Sequence, residues 1–176
     1  MTRLTPGTTA VLVVDLQDRL LAAVPTAAGV VAAAGLLADA AVLLGVPVHA
    51  TEQYPQGLGP TAATLAARLL VAPVAKTAFS AAGVFDIPCP TIVLAGAETH
   101  VCVLQTALDL LAAGKQVHVC ADAVGSRRGV DHDTALRRME RAGAVVTTVE
   151  AAVFDWLRDA AHPQFKAVSR LVVARG

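Results

Sequence analysis

The sequence predicts an α/β fold: a three-layer α/β/α sandwich around a six-stranded parallel sheet, in the doubly wound order 3-2-1-4-5-6. Three observations carry the layered, parallel architecture, and the order is the common doubly wound one. Short apolar, β-branched runs alternate with helical patterns along the whole chain. The runs are almost continuously apolar, as expected of strands covered by helices on both faces. Three helical patterns end in a glycine, at Gly45, Gly114 and Gly143, just before the next run begins.

Residues 10–14 read as strand one, and 26–44 as a long helix closed by Gly45. Residues 46–50 read as strand two, followed by a turn-rich segment over 52–60. Residues 61–70 read as a helix with Thr61 as its cap. A short third strand covers 73–76, and strand four covers 91–95. A helix over 100–113 is closed by Gly114, and strand five follows at 116–120. Residues 131–141 form a helix closed by Gly143, and 144–148 form strand six. Two helices near 153–157 and 163–170 finish the chain. No repeat, linker or low-complexity tract divides it, so residues 1–176 read as one domain.

Composition narrows the function. Fourteen basic and fourteen acidic residues cancel, and only 3% of residues are aromatic. Neither a basic surface nor a stacking platform for nucleic acid is expected. The most apolar stretch, 20–48, is interrupted by Pro25, Gly29, Gly35 and Asp39 and is mostly alanine, so no membrane span is expected. A hydrophobic fraction of 55% suggests that apolar surface is left for contact between copies, hence a homo-oligomer. Cys89, Cys102 and Cys120 form neither a CxxC pair nor a zinc spacing. An odd cysteine count without a leader-like N-terminus predicts a reducing, cytoplasmic setting.

Three reactive residues fall at the predicted carboxyl ends of strands, where such sheets bind ligands. Asp15 closes strand one, Lys76 closes strand three, and Cys102 follows strand four. A thiol in the first turn of a helix meets unpaired N–H groups and the positive end of the helix dipole, which favour thiolate. Each residue also has an ordinary reading. Asp15 is a helix cap, Lys76 a surface lysine and Cys102 a core residue on that view.

The motifs around these residues resemble the isochorismatase-like cysteine hydrolases, and most closely the isochorismatase domain-containing proteins. They are VVDLQ around Asp15, TEQYPQGLGPT from Thr51, AKTAFS around Lys76, GAETHVCVLQTALDLL around Cys102, DAVGSR from Asp122 and HPQFK from His162. The resemblance implies a catalytic triad of Asp15, Lys76 and Cys102. It also implies a non-proline cis peptide at Ala97–Glu98 and an oxyanion hole from the backbone N–H groups of Glu98 and Cys102. The implied reaction is hydrolysis of an amide-type C–N bond of a small molecule through a thioester. Asp15 moves the proton and Lys76 holds Asp15 ionised.

Candidate pocket residues are Gln17, Gln53, Tyr54, Phe79 and Thr99. Nicotinamidase-type relatives hold a metal with an Asp-x-His motif and a further histidine after strand two. This chain reads HATEQYPQGLG there, so no metal and no cofactor are expected. Asp122 and Arg127 are expected to organise the loop after strand five. The alternative from another class is an idle family member acting as an oligomeric interaction protein. A thiol redox protein is disfavoured because no CxxC supplies a resolving cysteine.

Overall fold

The computed structural model describes residues 3–174. Six parallel strands form one sheet: β1 (Thr9–Val14), β2 (Val48–Gln53), β3 (Val74–Lys76), β4 (Thr91–Ala97), β5 (Gln116–Gly125) and β6 (Val145–Thr147). Their order is β3-β2-β1-β4-β5-β6, as the sequence predicts. The helices are α1 (Asp18–Leu21), α2 (Ala27–Leu43), α3 (Pro55–Leu58), α4 (Ala63–Ala66), α5 (Leu104–Ala112), α6 (Gly129–Arg141), α7 (Val149–Leu157) and α8 (Phe165–Val173). A π-helical turn, Thr99–Val103, leads into α5.

Alternation along β1 divides the core between the two faces of the sheet. Val11 and Val13 face one side with Val93 and Ala95 of β4, against Ala33, Leu37 and Ala41 of α2 and Trp156 of α7. Ala10, Leu12 and Val14 face the other side with Ile92 and Leu94, against Ala107 and Leu110 of α5 and Met139 of α6. Alanines along α2 keep it slim, and it packs against β5, α7 and α8. Gly96 is needed where β4 passes β1. Its φ is +149°, and a Cβ there would collide with the Val14 carbonyl.

Several boundaries differ from the sequence reading, each for a physical reason. Strand two starts at Val48 instead of residue 46. The Val46 N–H is used to close α2 on the Ala41 carbonyl at 2.8 Å, and Pro47 has no N–H to give. It runs on to Gln53 through polar residues that pair with β3. The helix expected over 61–70 shrinks to α4. Thr61 does not cap it; its N–H and hydroxyl both donate to Glu52 Oε1 at 2.7 Å, and it bridges to Gln17. β5 continues five residues beyond Cys120, crossing a register shift against β4 between Leu94 and Gly96. α7 begins a turn early because Thr148 accepts from Ala151 N and Asp122 Oδ1 accepts from Val149 N at 2.9 Å. Among the described residues, no helix is long and apolar enough to cross a membrane.

Candidate active site

Asp15 stands one residue beyond β1, fully buried, with a left-handed φ of 55°. Aspartate is among the few non-glycine residues that visit this region, and here its surroundings must hold it there. The neighbours here do so. Thr51 Oγ1 donates to Asp15 Oδ1 at 2.8 Å, and Lys76 Nζ donates to Oδ2 at 2.6 Å. Thr51 arrives because Val14 pairs with it across the β1–β2 ladder.

The Lys76 ammonium is itself enclosed. Besides Asp15 it faces Gln53 Oε1 at 2.7 Å, the Phe79 carbonyl at 2.9 Å and the Ala78 carbonyl at 3.1 Å. Four acceptors surround three protons, so this buried charge is fully hydrogen-bonded and ion-paired, the condition under which burying one is tolerable. Gln53 is fixed in turn, its Nε2 donating to the Thr77 carbonyl at 2.7 Å.

Cys102 sits inside the π-helical turn and is buried. Asp15 and Lys76 both act electrostatically on its thiol. Burial, reinforced by the negative charge of Asp15, pushes the thiol up to about 12, with Lys76 opposing. This corrects the sequence expectation of a resting thiolate. The favourable end of a helix is outweighed where the sulfur is dry and its nearest neighbour is a carboxylate. The group at rest is therefore a buried thiol under the influence of a carboxylate.

The turn is braced from both sides. Thr106 Oγ1 donates to the Cys102 carbonyl at 2.6 Å and accepts from Ala81 N at 2.9 Å, tying the loop around Lys76 to the cysteine helix. The Ala97–Glu98 peptide is cis. The buried Glu98 carboxylate accepts from Arg127 Nε at 2.9 Å, Nη2 at 2.7 Å and the Arg127 backbone N–H at 3.1 Å. The Arg127 hydrogen bond, more than any other influence, holds Glu98 below its ordinary value.

The sequence-derived pocket residues separate into two groups. Tyr54 and Phe79 are about half exposed, at the β2–β3 end of the sheet. Tyr54 has a φ of 38°, and its ring lies so close over Gly57 that a Cβ there would be 2.6 Å from it. Gln17, Gln53 and Thr99 are buried and committed internally. Gln17 Nε2 donates to the Gly59 and Gln53 carbonyls at 2.7 and 3.1 Å, and its Oε1 accepts from Gln53 N at 2.7 Å. Thr99 Oγ1 pairs with His132 Nδ1 at 3.0 Å. Sequence reasoning missed Thr51 and Thr106. Thr51 lay past the expected end of strand two; the four-residue spacing from Cys102 to Thr106 was the available signal for the second. Among the described residues, no group of three or more His, Cys, Asp or Glu side chains is arranged to hold a metal ion.

The chain is similar to known proteins over nearly its whole length. Residues 9–151 match the family model described as the isochorismatase domain. Isochorismatase domain-containing protein 2 of Bos taurus is 43% identical, over 97% of this chain and 85% of that protein. The structure described as MAR1 ribonuclease from Caenorhabditis elegans superposes with a TM-score of 0.91 at 39% identity, covering 98% of this chain and 93% of that one. The YcaC gene product of Escherichia coli, described as an octameric hydrolase of unknown specificity, superposes with a TM-score of 0.81 at 25% identity, covering 99% and 96%.

Proposed function

Because the chain belongs to the isochorismatase family, we propose that it is a cysteine-dependent hydrolase that cleaves an amide-type C–N bond of a small molecule. One observation carries the reading: a single buried carboxylate, Asp15, is paired with the Lys76 ammonium at 2.6 Å, and both charges act on the buried Cys102 thiol.

In the proposed cycle the Cys102 sulfur attacks the substrate carbonyl carbon while its proton passes to Asp15. A thiol that ionises only near 12 needs such an acceptor at the moment of attack. The carbonyl oxygen becomes an oxyanion, received by the backbone N–H groups of Glu98 and Cys102; one such donor is typically worth about 3–4 kcal/mol. The C–N bond then breaks, and Asp15 returns the proton to the departing amine. Water, deprotonated by Asp15, attacks the thioester, releasing a carboxylic acid and restoring the thiol. Lys76 keeps a positive charge beside Asp15 throughout and takes no proton itself. Thr51 and Gln53 position this pair.

Tyr54 and Phe79 form the approach to the site in this reading, and the substrate is small. The zero net charge and 3% aromatic content give no support to a nucleic-acid substrate. The protein acts without metal or cofactor in a cytoplasmic setting. It assembles as a homo-oligomer, for which the exposed Leu70, Val71 and Val74 at the β3 edge offer apolar contact surface. The test is incubation with a panel of small primary amides, with mass detection of an acyl group on Cys102 and of the free acid. An acyl adduct that is absent in Cys102→Ala supports the reading. Amide turnover that survives in Cys102→Ala refutes it.

A further inference from the structure

At the carboxyl end of β5 a cavity of about 410 Å³ opens between the start of α2 and the start of α6. Its wall includes Thr26, Gly29 and Val30 from the α2 side, Val124 and Ser126 from β5 and the loop after it, and His132 from α6. Neither Asp15, Lys76 nor Cys102 lines it. Its volume lies within the range of small-molecule sites, and its wall is mostly apolar with a few polar groups. It also occupies the carboxyl edge of a parallel sheet, the side on which such folds bind ligands.

Two of its polar wall residues reach the turn that carries Cys102. His132 Nδ1 lies 3.0 Å from Thr99 Oγ1, and Ser126 Oγ lies 3.0 Å from His100 Nδ1. Thr99 and His100 belong to the π-helical turn ahead of the sulfur. Such turns recur at functional sites. Thr99 is fully buried, so its hydroxyl depends on His132 for a partner; a ligand that competes for either wall residue must be answered within the turn.

We propose that this cavity is a second ligand site, taking a small, predominantly apolar molecule with one hydrogen-bonding group, and that its occupancy repositions the Cys102 turn through His132 and Ser126. The link is a pair of hydrogen bonds shared between two sites, which is what coupling requires. Only the functional meaning of that turn rests on the hydrolase reading; the binding and the link can be measured without turnover.

The test titrates cyclohexanol, benzyl alcohol and indole into the wild-type chain and into Gly29→Leu, reading NMR signals. A Cβ at Gly29 meets no atom within 4 Å, and leucine suits a helix better than glycine, so this variant fills the cavity without disturbing the fold. The expected result is saturable shifts of the Val30 and Val124 methyls in the wild type, with shifts of the Thr99 and His100 amides at the same midpoint. Both sets vanish in Gly29→Leu. The absence of saturable methyl shifts with all three probes, or their persistence in Gly29→Leu, overturns the site. Methyl shifts without amide shifts overturn the coupling. Loss of amide hydrolysis, by contrast, would sink the proposed function and leave these signals untouched.

Discussion

Lys76 and Asp15 belong to strands that are not neighbours, yet their charged groups meet at 2.6 Å. β2 runs between β1 and β3, and at normal spacing two strand steps amount to about 10 Å. The register resolves the distance. Val14 pairs with Thr51, and Lys76 pairs with Gln53, so Lys76 lies further along the sheet than Asp15 and its side chain extends back over the end of β2. Thr51 and Gln53, the two β2 side chains beneath it, each hydrogen-bond one member of the pair. Both partners are buried, so each justifies the burial of the other.

Lys76→Met tests that interdependence. Removing one partner of a buried pair leaves an uncompensated charge and typically costs about 3–5 kcal/mol. Urea denaturation is expected to show a loss of that order for Lys76→Met. A smaller loss is expected when Asp15→Asn is added, because the stranded charge is then gone. If the two changes add without coupling, the pair does not stabilise the fold in the way its geometry suggests.

Thr51→Val keeps the shape of the side chain and removes the hydroxyl that donates to Asp15 Oδ1. A hydrogen bond to a charged group contributes about 1.5–3 kcal/mol, and loss in this range is expected from denaturation midpoints. Amide turnover should fall as well, since the carboxylate loses one of the two contacts that aim it. A variant with wild-type stability and wild-type turnover would remove Thr51 from the site.

The difference between what was legible and what was not turns on residues like this one. The alternation of strands and helices, both helical layers and the positions of Asp15, Lys76 and Cys102 at strand ends follow from apolar periodicity and glycine punctuation; the expected strand order is simply the common doubly wound one. Thr51 escaped, and Gln53 reads as a pocket residue and not as a partner of Lys76, because a polar strand end looks like a turn; only pairing with β3 identifies it as strand. The helix over 61–70 failed because Thr61 resembles a cap, while in the fold its N–H and hydroxyl belong to Glu52. The resting thiol was hidden for a different reason. A helix start is visible in sequence, whereas desolvation and a carboxylate brought from β1 are properties of the folded state.

That thiol gives an alkaline prediction with a definite sign. In the unfolded chain Cys102 ionises near its ordinary value of 9.0, and in the folded chain near 12. A raised folded value favours the native state fully below the unfolded value, and that advantage disappears as pH rises from about 9 toward 12. Wild-type stability should therefore drop across this interval, and Cys102→Ala should drop less. Equal alkaline losses in the two proteins would mean that the sulfur is not buried as a thiol.

Glu98 and Arg127 give the acidic counterpart. Glu98 is held below its ordinary value chiefly by the Arg127 side chain, which binds both carboxylate oxygens at 2.9 and 2.7 Å. A depressed carboxyl group contributes stability above its unfolded value, and loses it as pH falls through the folded one. In Arg127→Ala the same carboxyl group is buried without its cation, so its folded value rises and less stability is left at neutral pH. The acid-unfolding midpoint of the variant should lie at higher pH than that of the wild type. Because the Glu98 end of the pair is buried, salt should weaken the wild-type pair only modestly and leave the order of the midpoints unchanged. Glu98→Gln introduced into both the wild type and Arg127→Ala should remove the pH difference between the Arg127 forms, since no carboxyl group is left at that position to titrate. If Arg127→Ala unfolds in acid at the same pH as the wild type, the loop after β5 is held by other contacts, and the Glu98 pair is not what fixes it beside the Cys102 turn.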